Sequence, residues 1–248
     1  MSHSKRYIEL DILRTLAIIL MIIYHTAYDL QIFHQWNIDV LHGRWKLLQM
    51  ITAWLFLLLV GISAAISEQR MQQQELDTAL RWHKRLRRTL IIGGAALLIS
   101  TATYLFDPET YIRFGILHLI ATATLLIPIA FTLKEGAIIL GIAIIWLGSI
   151  INMLQSSTAL MLPVGITPTN FHSIDYYPLI PWLGIIYIGI GIGYIAYIRR
   201  QTSNRSARLS LPAERIAAIV SWPGRHALII YVVHQPIILI LLSIIVRL

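Results

Sequence analysis

Seven long apolar runs, each about the length of a bilayer span, constrain this chain more than any other feature. They fall at about 12–33, 47–66, 89–106, 112–133, 136–154, 178–198 and 226–246. A helix needs roughly 20 mostly apolar residues to cross the hydrocarbon core. Only helices and closed barrels satisfy their own backbone hydrogen bonds there. The 248 residues are 57% hydrophobic and only 13% charged, which fills about seven spans and leaves little for a water-soluble core. The expected fold is all-α: a polytopic membrane helical bundle of about seven transmembrane helices, in a single domain over 1–248. A cytosolic enzyme, a disordered tail and a secreted disulfide scaffold are excluded. The absence of cysteine also removes thiolate metal sites, iron–sulfur clusters and cysteine nucleophiles.

The breaks between runs are polar: Gln69 to Arg88, the turn Asp107-Pro108-Glu109, the long loop Gln155 to Pro178, and a basic Ser/Arg-rich linker from Arg199 to Pro223. Gly93 and Gly94 interrupt the third run, and Gly184, Gly189, Gly191 and Gly193 mark the sixth, as where membrane helices pack closely. The net charge of +8 could suggest nucleic acid, but the positions of the 20 Lys and Arg settle its meaning. With a cytoplasmic N-terminus, fifteen fall on the inside (Lys5, Arg6, Arg70, Arg81, Lys84, Arg85, Arg87, Arg88, Lys134, Arg199, Arg200, Arg205, Arg208, Arg215 and Arg225). Four fall outside (Arg44, Lys46, Arg113 and Arg247), and Arg14 lies at the inner end of the first span. This is the positive-inside bias, so the basic charge is a topology signal and nucleic acid is not an expected partner. The first run is longer than a signal-peptide core and no small-x-small site follows it, so it reads as a signal anchor. There is no internal repeat, and Gln72-Gln73-Gln74 reads as solvated loop.

Ionisable groups inside a span are costly and usually functional. The first span carries Arg14, His25 and Asp29. Eleven residues at about 100° each return to within about 20° of the starting face, and a further four make one more turn. One stripe therefore carries a cation, an imidazole about 16 Å above it, and a carboxylate one turn beyond. Such a carboxylate can accept the imidazole N–H, fix the tautomer and leave the other nitrogen as a base. Further polar points gather toward the outer half. His118 lies in Phe114-Gly115-Ile116-Leu117-His118, and His234 lies mid-span before Pro236, which frees a carbonyl in the preceding turn. Asp175, Tyr176 and Tyr177 precede the sixth span, where Trp182 follows; an acidic group there suits a polar or cationic acceptor. On the inner side Arg81, Lys84, Arg85, Arg87, Arg88 and Arg225 form a basic patch, serving either as anchoring charge or as a docking site for a phosphorylated donor.

No span contains lysine, which excludes a retinal Schiff base, and there is no Walker A sequence, no GxGxxG and no HExxH spacing. No metal is expected. The stripe of the first helix fits proton transfer in an enzyme, and also a proton-coupled transporter. A transporter built from inverted repeats would show paired interrupted segments in its two halves, and none is seen.

Five blocks carry a resemblance. Leu10-Asp11-Ile12-Leu13-Arg14-Thr15-Leu16-Ala17 with Tyr24-His25 and Asp29 comes first, followed by Phe56 to Ser63, Phe114 to His118, Asp175 to Gly184, and Gly224-Arg225-His226 through His234-Gln235-Pro236. In this order, over most of the chain, they resemble the heparan-alpha-glucosaminide N-acetyltransferase catalytic-domain family. The resemblance implies a transmembrane N- or O-acetyltransferase of the plasma (inner) membrane. It would move an acetyl group from cytosolic acetyl-CoA, a donor substrate, to an amino sugar or glycan on the outer side. It also implies that His25 is the catalytic histidine and that Arg14 lies toward the CoA side; from the residues themselves, Asp29 is expected to orient the imidazole and the basic patch, with Arg85, Arg88 and Arg225, to meet the donor's phosphates. His118, Asp175, Tyr176 and His234 are candidates for acceptor binding. Thr15 stands where a glycine is common after the arginine, and the large luminal region of lysosomal members has no counterpart, which points to a small glycan acceptor. The expected partners are the lipid bilayer, acetyl-CoA and that acceptor, with a homodimer an open option.

Overall fold

The computed structural model describes residues 7–199 and 211–246, and side chains for all of these except 211–215. Lys5, Arg6, Arg200, Arg205, Arg208 and Arg247 of the charge count lie outside the described residues, as does the side chain of Arg215. The described chain is all-helical and has no strand. Isolated bridges pair Phe114 with Tyr176 and Gln155 with Thr167. In order the helices are α1 (Ile8–His34), α2 (Gly43–Gln73), α3 (Thr78–Phe106), α4 (Ile116–Thr132), α5 (Ala137–Ile151), α6 (Leu179–Gly193), α7 (Leu211–Val220), α8 (Trp222–Arg225) and α9 (Ala227–Ile245). Six segments are long and apolar enough to cross a membrane: α1, α2, α3, α5 with the turn before it, α6 with the π-turn Tyr194–Ile198, and α9. The fourth apolar run forms α4, 17 residues long, at the lower end of what spans a bilayer.

Helix ends and hydropathy ends differ. Gln69 to Arg88 is not a polar loop: α2 continues to Gln73, and α3 starts at Thr78 behind Asp77, whose carboxylate accepts the Leu80 N–H at 2.6 Å. Hydropathy marks where a helix leaves lipid, whereas capping groups decide where it stops. The second half of the expected 199–223 linker is likewise helical as α7 and α8, because Ile216, Ala217, Ala218, Ile219 and Val220 continue an apolar pattern. The turn at 107–110 is held by Asp107, which accepts the Glu109 N–H at 3.0 Å and the Thr110 hydroxyl at 2.5 Å. Those bonds, the hydroxyl's above all, hold the Asp107 carboxyl below its ordinary pKa.

The chain forms two compact units, residues 1–56 with 205–248, and residues 57–204. In the first unit α1 packs against α7, α8 and α9. A cluster of Tyr24, Ala27 and Val40 is flanked by Tyr28, Ile38, Trp45 and Leu48. In the second unit α3 packs on α4, and α6 packs on α4 and α5.

Close backbone approach explains the glycines of α6. A Cβ on Gly61 would lie 2.0 Å from the Ile186 carbonyl oxygen, and one on Gly189 would lie 2.4 Å from that of Leu58. Gly141 and Gly184 face each other in the same way across α5 and α6. Without a hydrophobic drive between helices in lipid, such contact supplies the packing. Gly94 differs, because a Cβ there meets nothing within 4 Å. Gly61→Val is therefore expected to destabilise the fold by more than the about 1–3 kcal/mol typical of overpacking, while Gly94→Val is tolerated. Size-exclusion profiles of the detergent-solubilised variants check this: a monodisperse Gly61→Val protein would contradict the packing.

Candidate active site

Two helices of the first unit supply the main polar cluster within the spans. His25 and Asp29 lie one turn apart on α1, and His234 and Gln235 are neighbours on α9. The His25 and His234 rings meet edge to face with centroids 4.8 Å apart, and Tyr24 and Tyr231 lie beside them at 5.7 and 5.5 Å. His234 is 7% exposed. Its Nδ1 lies 2.6 Å from the Tyr231 carbonyl. A carbonyl can only accept, so Nδ1 carries the proton in the neutral ring and Nε2 presents a lone pair. That Nε2 is buried and has no hydrogen-bond partner among the described residues. His25 is half-buried and makes no hydrogen bond within the described chain.

Asp29 has a different partner from the one its spacing suggests. It is fully buried, and both carboxylate oxygens accept from Gln235 Nε2, at 2.8 and 2.9 Å. Burying a carboxylate without a donor is costly, and the amide of Gln235 supplies one. The i,i+4 register places His25 and Asp29 on one face, but a donor on the neighbouring helix takes the carboxylate. Asp29 thus ties α1 to α9 directly beside the two histidines. Gln235 is a site residue that the sequence reading missed; its only signal was its place between His234 and Pro236.

Near the N-terminal end of α1, Arg14 donates to Asp11 at 2.5 Å, and Arg225 Nε lies 3.7 Å from the other oxygen of the same carboxylate. Asp11 is 2% exposed, and it too was missed as a functional position. Thr15 fastens the same corner. Its hydroxyl reaches the Asp11 carbonyl at 3.1 Å and the Val220 carbonyl at 2.8 Å, and it accepts the Gly224 N–H at 3.0 Å. A glycine at 15 could make none of these bonds.

The remaining candidates lie in the second unit. His118 and Asp175 cap α4: His118 Nδ1 accepts the Gly115 N–H at 3.2 Å and an Asp175 oxygen accepts the Ile116 N–H at 3.0 Å, two of the four N–H groups that a helix start leaves unpaired. Burial pushes the Asp175 carboxyl up to about 6, partly opposed by the Ile116 N–H. The Tyr176 hydroxyl donates to the Leu162 carbonyl at 2.8 Å, and burial pushes it up to about 12. Arg85 is buried and donates to Glu68 at 2.6 Å, with Trp82 against its guanidinium at 5.1 Å. Glu68, 3% exposed, is a further residue that the sequence reading missed. Arg85 and Arg88 line a pocket at this end of α2 and α3. Among the described residues no group of three or more His, Asp or Glu is placed to hold a metal ion.

Six helices long and apolar enough to cross a membrane among the described residues, two of them packed around an ionisable cluster, define a multi-pass integral membrane protein with a polar site inside its helices. A family model described as heparan-alpha-glucosaminide N-acetyltransferase, catalytic, matches residues 6–236. The chain belongs to that family of membrane acetyltransferases. No curated protein and no solved structure matches it.

Proposed function

We propose that the protein transfers an acetyl group from cytosolic acetyl-CoA to an amino sugar or small glycan on the outer side of the inner membrane. In this reading α4 is a seventh span and the N-terminus is cytoplasmic. The observation that carries the proposal is the pair His25–His234: two imidazoles 4.8 Å apart on packed spans, with His25 making no hydrogen bond among the described residues and so keeping a basic ring nitrogen open. A neutral imidazole with a free lone pair can take a proton from an attacking amine or hydroxyl. His25, the less enclosed of the two, is the base. It removes the acceptor's proton as the acceptor nitrogen or oxygen bonds to the thioester carbonyl carbon. Collapse breaks the C–S bond, and the imidazolium returns the proton to the departing thiolate. His234 packs against His25, and Asp29 with Gln235 holds α1 and α9 in register.

The donor's phosphates meet Arg14 and Arg225. Asp11 holds both guanidinium groups in place beside one another. His118, Asp175 and Tyr176 serve the acceptor side indirectly, by shaping the start of α4 and the loop before α6. Family membership speaks against the transporter reading. The test is acetyl transfer by the purified full-length protein from labelled acetyl-CoA to a panel of amino sugars. Labelled product from at least one acceptor is expected. Failure to bind CoA and to label any acceptor would overturn the proposal.

A further inference from the structure

The pocket in the second unit has features that anchoring charge does not require. Its volume is about 230 Å³, and Arg70, Lys84, Arg85 and Arg88 line it against a single acid, Glu68. Charges that merely mark the inner side of a membrane stay in water, whereas the Arg85 side chain is 8% exposed. Its Nη2 is used by Glu68, but its Nε is buried without a partner among the described residues. A buried N–H left unsatisfied is expensive, and a phosphate oxygen would satisfy it with a charge-assisted hydrogen bond.

The other walls point to the source of that phosphate. Ala64 and Ile127 supply an apolar side. On the pocket's side of α3, seven and fourteen residues beyond Lys84, Ile91 and Leu98 are 53% and 60% exposed. A soluble anion has no use for such a flank, whereas a phospholipid has acyl chains to lay along it. Basic residues next to a span attract anionic headgroups, each adding about fivefold in affinity.

We propose that this pocket binds the headgroup phosphate of an anionic phospholipid, with the acyl chains along the exposed face of α3. The site is independent of the acetyl-transfer reading, because it lies in the other unit and its test uses neither donor nor acceptor.

The experiment places the full-length protein in phosphatidylcholine nanodiscs with and without phosphatidylglycerol. Lipid retained per protein is read by native mass spectrometry. Phosphatidylglycerol should be retained in preference to phosphatidylcholine and should withstand washing with pyrophosphate or CoA. Lys84→Gln with Arg88→Gln, two exposed positions, should weaken retention about 25-fold. Arg85→Lys, which keeps the charge beside Glu68 but lacks the Nε–H, should weaken it too. Equal retention of the two lipids, or unchanged retention in the double variant, would overturn the proposal. So would displacement by CoA, which would assign the pocket to the acyl donor.

Discussion

A His25→Ala protein should transfer acetyl groups about 10²- to 10⁴-fold more slowly than the wild type, the range that a positioned general base supplies. The effect should fall on kcat with little change in the KM for acetyl-CoA. His25 is removed from the donor cations by eleven residues of α1, or about 16 Å, so it takes part in proton transfer and not in holding phosphates. His25→Gln keeps a polar group of similar reach but no base, and should be equally slow. His234→Gln should be less severe, since His234 faces His25 through ring packing and donates its one proton to the Tyr231 carbonyl. Single-turnover transfer in detergent, with CoA binding measured separately, distinguishes these outcomes. A His25→Ala protein working at the wild-type rate would sink the assignment. Arg14→Ala should show the converse pattern, with KM raised and kcat nearly kept.

The second large effect concerns stability. Glu68→Ala removes the partner of Arg85 and leaves a guanidinium, 8% exposed, without its carboxylate. Breaking a buried pair from one side costs about 3–5 kcal/mol, whereas replacing both partners with apolar residues of similar volume is often neutral. Glu68→Met with Arg85→Met should therefore recover most of what Glu68→Ala loses. Arg81, 4.0 Å from Glu68, is a second cation and cannot stand in for the lost carboxylate. Thermal unfolding of the three variants in one detergent reads the comparison. If the double variant unfolds as early as Glu68→Ala, the pair has a role beyond charge balance.

The helices were legible in the sequence wherever lipid dictates composition. Every apolar run corresponds to a helix, because an unpaired backbone group in hydrocarbon is too costly for anything else. The extensions were not legible. Residues 67–73 and 78–88 are polar and helical together, so the apolar run ends before the helix does. The candidate residues on α1 stood out because charge in an apolar run is conspicuous. Their partners did not. Gln235 meets Asp29 across 206 positions of sequence, and no local spacing encodes such a meeting. Asp11 and Glu68 had weak signals that could have been used. Each is an acid at the margin of an apolar run with arginine nearby: Arg14 is three residues after Asp11, and Arg85 is seventeen after Glu68. His118 and Asp175 looked like acceptor ligands because polar groups near a span mouth attract that reading. The structure also gives them the unpaired N–H groups at the start of α4.

Thr15 has one hydroxyl proton and two carbonyls within reach, those of Asp11 and Val220. Only one can be served at a time, and rotation about a single C–O bond moves the proton from one to the other, while a lone pair keeps the Gly224 N–H throughout. The corner where α7 and α8 meet α1 is therefore a latch with two positions instead of a rivet. The Val220 carbonyl thus shares the hydroxyl proton with the Asp11 carbonyl, whereas the Gly224 N–H, on the segment that leads into α9 and His234, keeps its acceptor.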